Sequence, residues 1–370
     1  MMIEKIMKNK IFSVVALILM ASLIEAAPQE IIIENNPAPF HQPAGYLYYE
    51  AQDLNLPSVR KMGEKSRKIL QEAGNPTDEL KKVGALSNYV AETLRHSHFD
   101  RRIKRRTPDP KFDTFRHDPV KILAYVETFM PFDPETWPNP WCTHQNDVLI
   151  GLLNGIGLHG RIHNITGHVG AEYFSIQYRK WVYIDSTFNE YYVRKGHPDM
   201  PLSTLEMIQL TKAGRQDELL SVKFGTYPSQ SYISAFPKGF DVAFMPKMWM
   251  ATFDQNEAKN TKPNLVNFGG PLSDYQKPYP KAATIEAVDF PLSLIRIGGA
   301  ALRGDGWVLV TLQNCIPHFS HYQFRNSDHE PWKNIKGSDD AYNGNLIKER
   351  FYRGLDNAGN PSEILKIELK

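Results

Sequence analysis

The chain is poor in cysteine, with two in 370 residues, and it lacks any large excess of charge of one sign: 43 lysines and arginines face 41 aspartates and glutamates. Two thiols leave Cys142 with Cys315 as the only pairing open within the chain. A net charge of +2 creates no global field that demands nucleic acid, and no nucleic-acid partner is expected. Long apolar runs are missing after the first thirty or so positions, so no integral membrane span is expected once that segment is removed. A chain of 370 residues is long enough for two or three domains with a substantial core.

The single long apolar run, Ile11 to Ile24, follows Lys5, Lys8 and Lys10 and precedes the small residues Ala26 and Ala27. This is the layout of a secretory signal peptide over 1–26, so the protein is expected to be secreted or periplasmic. No cysteine lies near the expected cleavage region, which argues against a lipid-modified anchor.

The densest chemistry lies between Trp141 and Thr187. Val148, Leu149, Leu152, Leu153 and Ile156 recur at helical spacing, with Gly155 and Gly157 as the stop, which places Cys142 in the first turn of a helix. Unpaired amides and the positive end of the helix dipole favour an anion there, easing ionisation of a thiol to its nucleophilic form. The same amides suit an oxyanion. Arg161 to Thr166 reads as a strand broken by Gly167, and Val169 to Gln177 with Trp181 to Ile184 reads as a hairpin turning near Arg179. His168 and Asp185 then belong to neighbouring strands, facing directly or diagonally according to a register left open. A cysteine served by a histidine that a carboxylate orients is what covalent acyl transfer requires.

The order of these residues resembles the transglutaminase-like superfamily: Cys142 and its apolar helix, Gly157-Leu158-His159-Gly160-Arg161, Gly167-His168 with Val169 and Glu172, then Trp181-Val182-Tyr183-Ile184-Asp185-Ser186-Thr187. The family's pattern has proline where His159 stands and a bulkier residue than Gly170, and its gap from cysteine to histidine is longer. The resemblance covers about Thr77 to Val193 and implies Cys142 as nucleophile, His168 as general base and acid, and Asp185 as the orienting carboxylate. It implies an α+β fold, a papain-like core of helices packed on an antiparallel sheet.

Around that stretch, residues 27–76 read as an N-terminal extension packed on the main domain, with a helical signal near Ser66 to Glu72. Thr77 is placed to cap a helix whose buried face carries Leu80, Val83, Leu86, Val90 and Leu94, and Asp118 to Phe129 reads as another. The basic run Arg101, Arg102, Lys104, Arg105, Arg106 has neither glycine nor aromatic interleaving and reads as a solvated loop rather than an anion site. Pro131 to Trp141 is a rigid Pro/aromatic loop, either a wall of the cleft or packing for the core. His144, His159, His163 and His168 cluster along the chain with Asp147, but only His144 and Asp147 share a helix face, His159 falls in a turn and His163 points differently from its neighbours, so no metal and no cofactor is expected. The Asn164-Ile165-Thr166 sequon falls in an expected strand and reads as chance.

Pro201 to Gln209 suggests a capped helix, which closes a catalytic domain over 77–215; residues 216–281 form a Pro- and aromatic-rich extension of its core. Strand-like runs at Leu292 to Ile297, Trp307 to Leu312, Tyr322 to Arg325 and Ile364 to Leu369 suggest a small all-β sandwich over 282–370. Phe351 to Ser362 resembles the last hairpin of fibronectin type III and immunoglobulin-like modules. Asp339, Asp340 and Asn343 lack the spacing of a calcium loop and read as a plain turn.

The expected protein is thus an exported cysteine enzyme that forms a thioester from an amide in a protein, peptide or cell-envelope substrate. Water as acceptor makes it a peptidase or amidase, the favoured outcome; an amine makes it a crosslinking transglutaminase. A non-enzymatic scaffold is the rival class.

Overall fold

The structure, a computed structural model, describes residues 30–37, 57–115, 118–165, 168–235, 245–247, 292, 294–316, 319–356 and 359–370. The signal segment, Gly167, Thr166 of the sequon and nearly all of the Met- and aromatic-rich stretch after 235 lie outside these residues. Within them the fold is α+β: helices packed on antiparallel sheet, followed by an all-β region.

Among the described residues, four α-helices lie before residue 160: α1 Pro57–Glu72, α2 Glu79–Thr93, α3 Pro119–Glu127 and α4 Cys142–Asn154. The α2 cap is Asp78 rather than Thr77: its carboxylate accepts from Lys81 N at 2.9 Å, a negative oxygen at the positive end of the helix. The next helix is shorter than the apolar pattern suggests: Asp118 is its cap rather than its first residue, Pro119 fixes its first turn, and it ends at Glu127 with Thr128 as its C-cap.

α4 is the centre of this part. Every residue from Gln145 to Asn154 is buried, and α1, α2 and α3 all pack on it. Burying Val148, Leu149, Leu152 and Leu153 contributes about 1.5–3 kcal/mol each. α1 approaches most tightly where two glycines meet: a Cβ on Gly155 would lie 2.4 Å from Gly63 N. Beside them Ser66 Oγ donates to Leu152 O at 2.7 Å.

The sheet behind α4 has β2 Gly160–Ile165, β3 His168–Ser175, β4 Lys180–Ile184 and β8 Met245–Lys247, in the order β4-β3-β2-β8. Both of its faces are covered. Ile162, Ala171, Tyr173, Val182 and Ile184 join the helical core. Phe174, Trp181 and Tyr183, one step out of phase, join a second core. That core includes Phe188, Tyr192 of β5 Glu190–Arg194, Leu202 beyond β6 His197–Pro201, Met207 of α5 Thr204–Lys212, Leu219 of β7 Leu219–Lys223, and Tyr232 of α6 Tyr232–Ala235. Strand β5 belongs to a separate sheet, β6-β5-β7, instead of extending the first. Ser203 and Glu206 form a capping box on α5.

The C-terminal region has β9 Ile295–Leu302, β10 Trp307–Asn314, β11 Phe319–Arg325, β12 Lys333–Ile335, β13 Asp339–Asn343, β14 Glu349–Asp356 and β15 Leu365–Leu369. One sheet runs β13-β10-β9 and the other β1-β15-β14-β11-β12, where β1 is Ile31–Glu34. The N-terminal extension is therefore not one piece packed on the main domain. Its strand pairs Ile31 with Leu369 on the edge of the last sheet, whereas its helix α1 enters the helical core. Alternating Ile367 and Leu369 inward and Lys366 and Glu368 outward gives β15 a half-buried pattern with an edge that β1 covers.

Candidate active site

Cys142 is the first residue of α4 and is partly exposed. Trp141 before it carries only an indole N–H, so it supplies no oxygen to cap the first-turn amides. The reverse contact is made: Trp141 N donates to His144 Nδ1 at 3.0 Å, and the His144 ring stacks on Phe112 with centroids 4.4 Å apart. His144 thus serves the helix start.

His168 opens β3, and Asp185 directly follows β4. Because Ala171 pairs with Ile184, Asp185 falls opposite Gly170, and His168 lies two positions along the same face. The open register is thereby settled as diagonal. His168 Nε2 meets Asp185 Oδ2 at 2.6 Å. The ring also hydrogen-bonds the Cys142 thiol. With Nε2 engaged by the carboxylate, Nδ1 is the nitrogen that serves the sulfur.

Burial opposes charge at all three groups, yet each is held toward its charged form. For Asp185, the charge of His168, its hydrogen bond, the Tyr183 hydroxyl at 2.9 Å and the Thr187 amide at 2.8 Å outweigh burial and bring the carboxyl below its ordinary value. For His168, burial is overcome by Asp185 and then by the thiol, raising the imidazole to about 10. For Cys142, burial is offset by His168 and the Val169 amide, and the thiol ends below its ordinary value. Thiolate beside imidazolium is the state these contacts favour.

Aromatic rings close round the imidazole. Phe188 and Tyr232 each stand 5.2 Å from the His168 ring, centroid to centroid, and Phe99 packs on Phe188 at 5.0 Å. Tyr232 is held by its own amide, which donates to the buried Glu190 at 2.8 Å. His96 is also near: its Nδ1 accepts from His98 N at 2.9 Å, and burial, then the charges of His98 and His168, push it down to about 4.

Nothing in the local pattern points to Tyr232 or His96, which lie far along the chain from His168. Asn146 stands one turn after Cys142 between Gln145 and Asp147, in a polar first half of α4 where local pattern does not single it out. It is fully buried, and its Nδ2 lies 3.1 Å from Cys142 O, 2.8 Å from Val169 O and 3.4 Å from both Asp185 Oδ1 and Thr187 Oγ1. Its Oδ1 accepts from Ser186 N and Ser186 Oγ, both at 3.1 Å.

Other residues singled out in the sequence have structural partners. Arg102 pairs with Asp100 at 2.7 Å, Lys104 with Glu135 at 3.6 Å and Arg105 with Asp109 at 3.3 Å, while Arg106 donates to Ser97 O at 2.9 Å, so three charges of the basic run meet carboxylates. Trp137 is buried and donates to Arg95 O at 2.8 Å, whereas Trp141 is 43% exposed beside the thiol. The Pro/aromatic loop thus packs on the core through Trp137. Asp339, Asp340 and Asn343 lie in strand β13 rather than in a turn: Asp340 pairs with Arg350 at 2.7 Å and Asp339 accepts from Thr311 Oγ1 at 2.9 Å, contacts within the C-terminal all-β region. Among the described residues no three His, Cys, Asp or Glu side chains are grouped to hold a metal, and no helix is long and apolar enough to cross a membrane. Both cysteines are free; Cys315 is buried in the C-terminal region, its thiol pushed up to about 12 by burial.

The chain matches no protein-family model, no curated protein and no solved structure.

Proposed function

We propose that this protein is a cysteine-dependent acyl-transfer enzyme with a transglutaminase-like core, acting on amide bonds of a protein, peptide or cell-envelope substrate, most simply as a peptidase or amidase. The observation that carries this reading is the imidazole of His168 clasped by Asp185 at 2.6 Å on one nitrogen and hydrogen-bonded to the Cys142 thiol. That arrangement holds a thiolate ready at the start of α4.

In the proposed reaction the Cys142 sulfur attacks the amide carbonyl carbon and the carbonyl electron pair moves to oxygen. The oxyanion rests on first-turn amides of α4, which the dipole reinforces. As it collapses, the C–N bond breaks and the imidazolium of His168 gives its proton to the departing amine. Water then attacks the thioester, His168 takes its proton, and the C–S bond breaks to return the thiolate and release the acid. Asp185 stays ionised throughout and keeps the imidazole oriented. The signal-like segment supports action outside the cytoplasm.

The test is alkylation of the whole protein at mildly acidic pH, with labelled sites identified by mass spectrometry. Rapid modification of Cys142 and slow modification of Cys315 is expected; equally sluggish thiols would remove the enzyme reading and leave a scaffold. Incubating the active protein with a cell-envelope or protein mixture and a labelled amine then separates cleavage from crosslinking.

A further inference from the structure

Asn146 touches every segment that carries a member of the triad. Its Oδ1 faces the backbone N–H of Ser186 at 3.1 Å, a group that can only donate, so the amide orientation is fixed and Nδ2 must point at the opposite cluster. That cluster holds the carbonyl of Cys142 on α4 and the carbonyl of Val169, next to His168 on β3. It also holds the carboxylate of Asp185, after β4. Ser186 and Thr187, on the far side of Asp185, complete the ring of partners. A helix and a sheet have no shared ladder to fix their relative position, and apolar packing alone resists sliding poorly. One buried amide with partners on all three segments supplies that constraint.

We propose that Asn146 is the positioning residue of the site: it sets the separation of sulfur, imidazole and carboxylate, and through them the ionisation of Cys142. This rests on the cysteine-enzyme reading. Asn146 does not touch substrate. Its Nδ2 also approaches Asp185 Oδ1 at 3.4 Å, beside the Thr187 amide, and helps keep the carboxylate turned so that Oδ2 faces His168. Removing the amide takes one hold from the carboxylate, leaving those of Tyr183 and Thr187. It also unties the start of α4 from Val169 and Ser186, so the sulfur can draw away from the imidazole and the thiolate–imidazolium contact weakens with distance. A side chain that only filled space would leave the ionisation of the thiol where it was.

The experiment measures the alkylation rate of Cys142 against pH in the full chain for the parent, Asn146→Ala and Ser186→Ala, at temperatures where circular dichroism shows each folded. Ser186→Ala is the gentler change, removing one donor to Asn146 Oδ1 and keeping the other. Asn146→Ala is expected to move the midpoint up by about one pH unit, roughly a tenfold slower alkylation in the acidic limb. Ser186→Ala is expected to give about a twofold to threefold slowing, the effect of a few tenths of a unit. Folded variants with the parent's profile would overturn the proposal, and if Asn146→Ala does not fold, the profile of Ser186→Ala decides it in the same way. A parent whose Cys142 titrates no lower than an ordinary thiol would instead overturn the enzyme reading, so the two failures are distinct.

Discussion

Arg161 and Glu172 are paired residue to residue across β2 and β3, and both are out of water: their side chains are 2% and 0% exposed. The guanidinium gives Nε to Glu172 Oε2 at 2.7 Å and a second nitrogen to the same oxygen at 2.6 Å, and it lies 3.7 Å from the centre of the Trp181 ring. The other carboxylate oxygen accepts from Thr204 N at 2.7 Å, at the start of α5. Removing either partner leaves a buried charge without its counterion, a loss of about 3–5 kcal/mol. Arg161→Met keeps an apolar chain on Trp181, and Glu172→Gln keeps an acceptor for Thr204 N. The double variant therefore buries no unpaired charge and should lose only about 1–3 kcal/mol, mostly lost stacking and imperfect hydrogen bonding. The double-mutant cycle is expected to show at least about 3 kcal/mol of coupling. Urea unfolding followed by circular dichroism, at fixed pH and salt with m unchanged, gives the four stabilities. Losses that simply add, within about 0.5 kcal/mol, would refute the claim that this pair is a coupled buried ion pair.

Asp185→Asn should keep the fold and lower turnover by about 10³- to 10⁴-fold, because the amide neither steadies an imidazolium nor dictates its tautomer; steady-state rates beside an unchanged circular dichroism spectrum check this. The pH dependence of turnover should be bell-shaped. Its acid limb lies below an ordinary thiol's ionisation and its alkaline limb near pH 10, where His168, raised to about 10, loses the proton it must give the leaving group; a decline already complete by pH 8 would contradict this. His96 acts on stability with the opposite sign. Its folded value, about 4, is below the unfolded 6.5, so the unfolded chain binds the extra proton between those pH values and stability falls as pH drops through that window, by about 3 kcal/mol at most. His96→Asn should flatten that slope in urea midpoints taken from pH 7 to 4. Gly155→Ala should cost about 1–3 kcal/mol in thermal or urea unfolding, since its Cβ would lie 2.4 Å from Gly63 N and backbone has nowhere to move cheaply.

Much of this protein was legible from local pattern. Apolar spacing and the Gly155 and Gly157 stop put Cys142 in the first turn of its helix, which ends at Asn154, and the strand through Trp181 to Ile184 follows a turn at Arg179 as expected. Caps were less legible: Thr77 and Asp78 are adjacent and chemically alike as caps, and only the backbone path shows that Asp78 reaches Lys81 N. The β1 strand was not legible at all, because four residues with three isoleucines carry no mark of a partner more than three hundred positions away.

The sequence by itself determined which side chains stand at the ends of α4, β3 and β4, because helix and strand periods are local properties of the chain. Only the tertiary structure decided that His168 and Asp185 meet diagonally through Nε2, that Asn146 joins their segments to that of Cys142, and that Tyr232 lies over the imidazole. Those facts depend on strand register and on packing between residues far apart in the chain, where a one-residue slip leaves every local preference satisfied and turns each side chain to the other face.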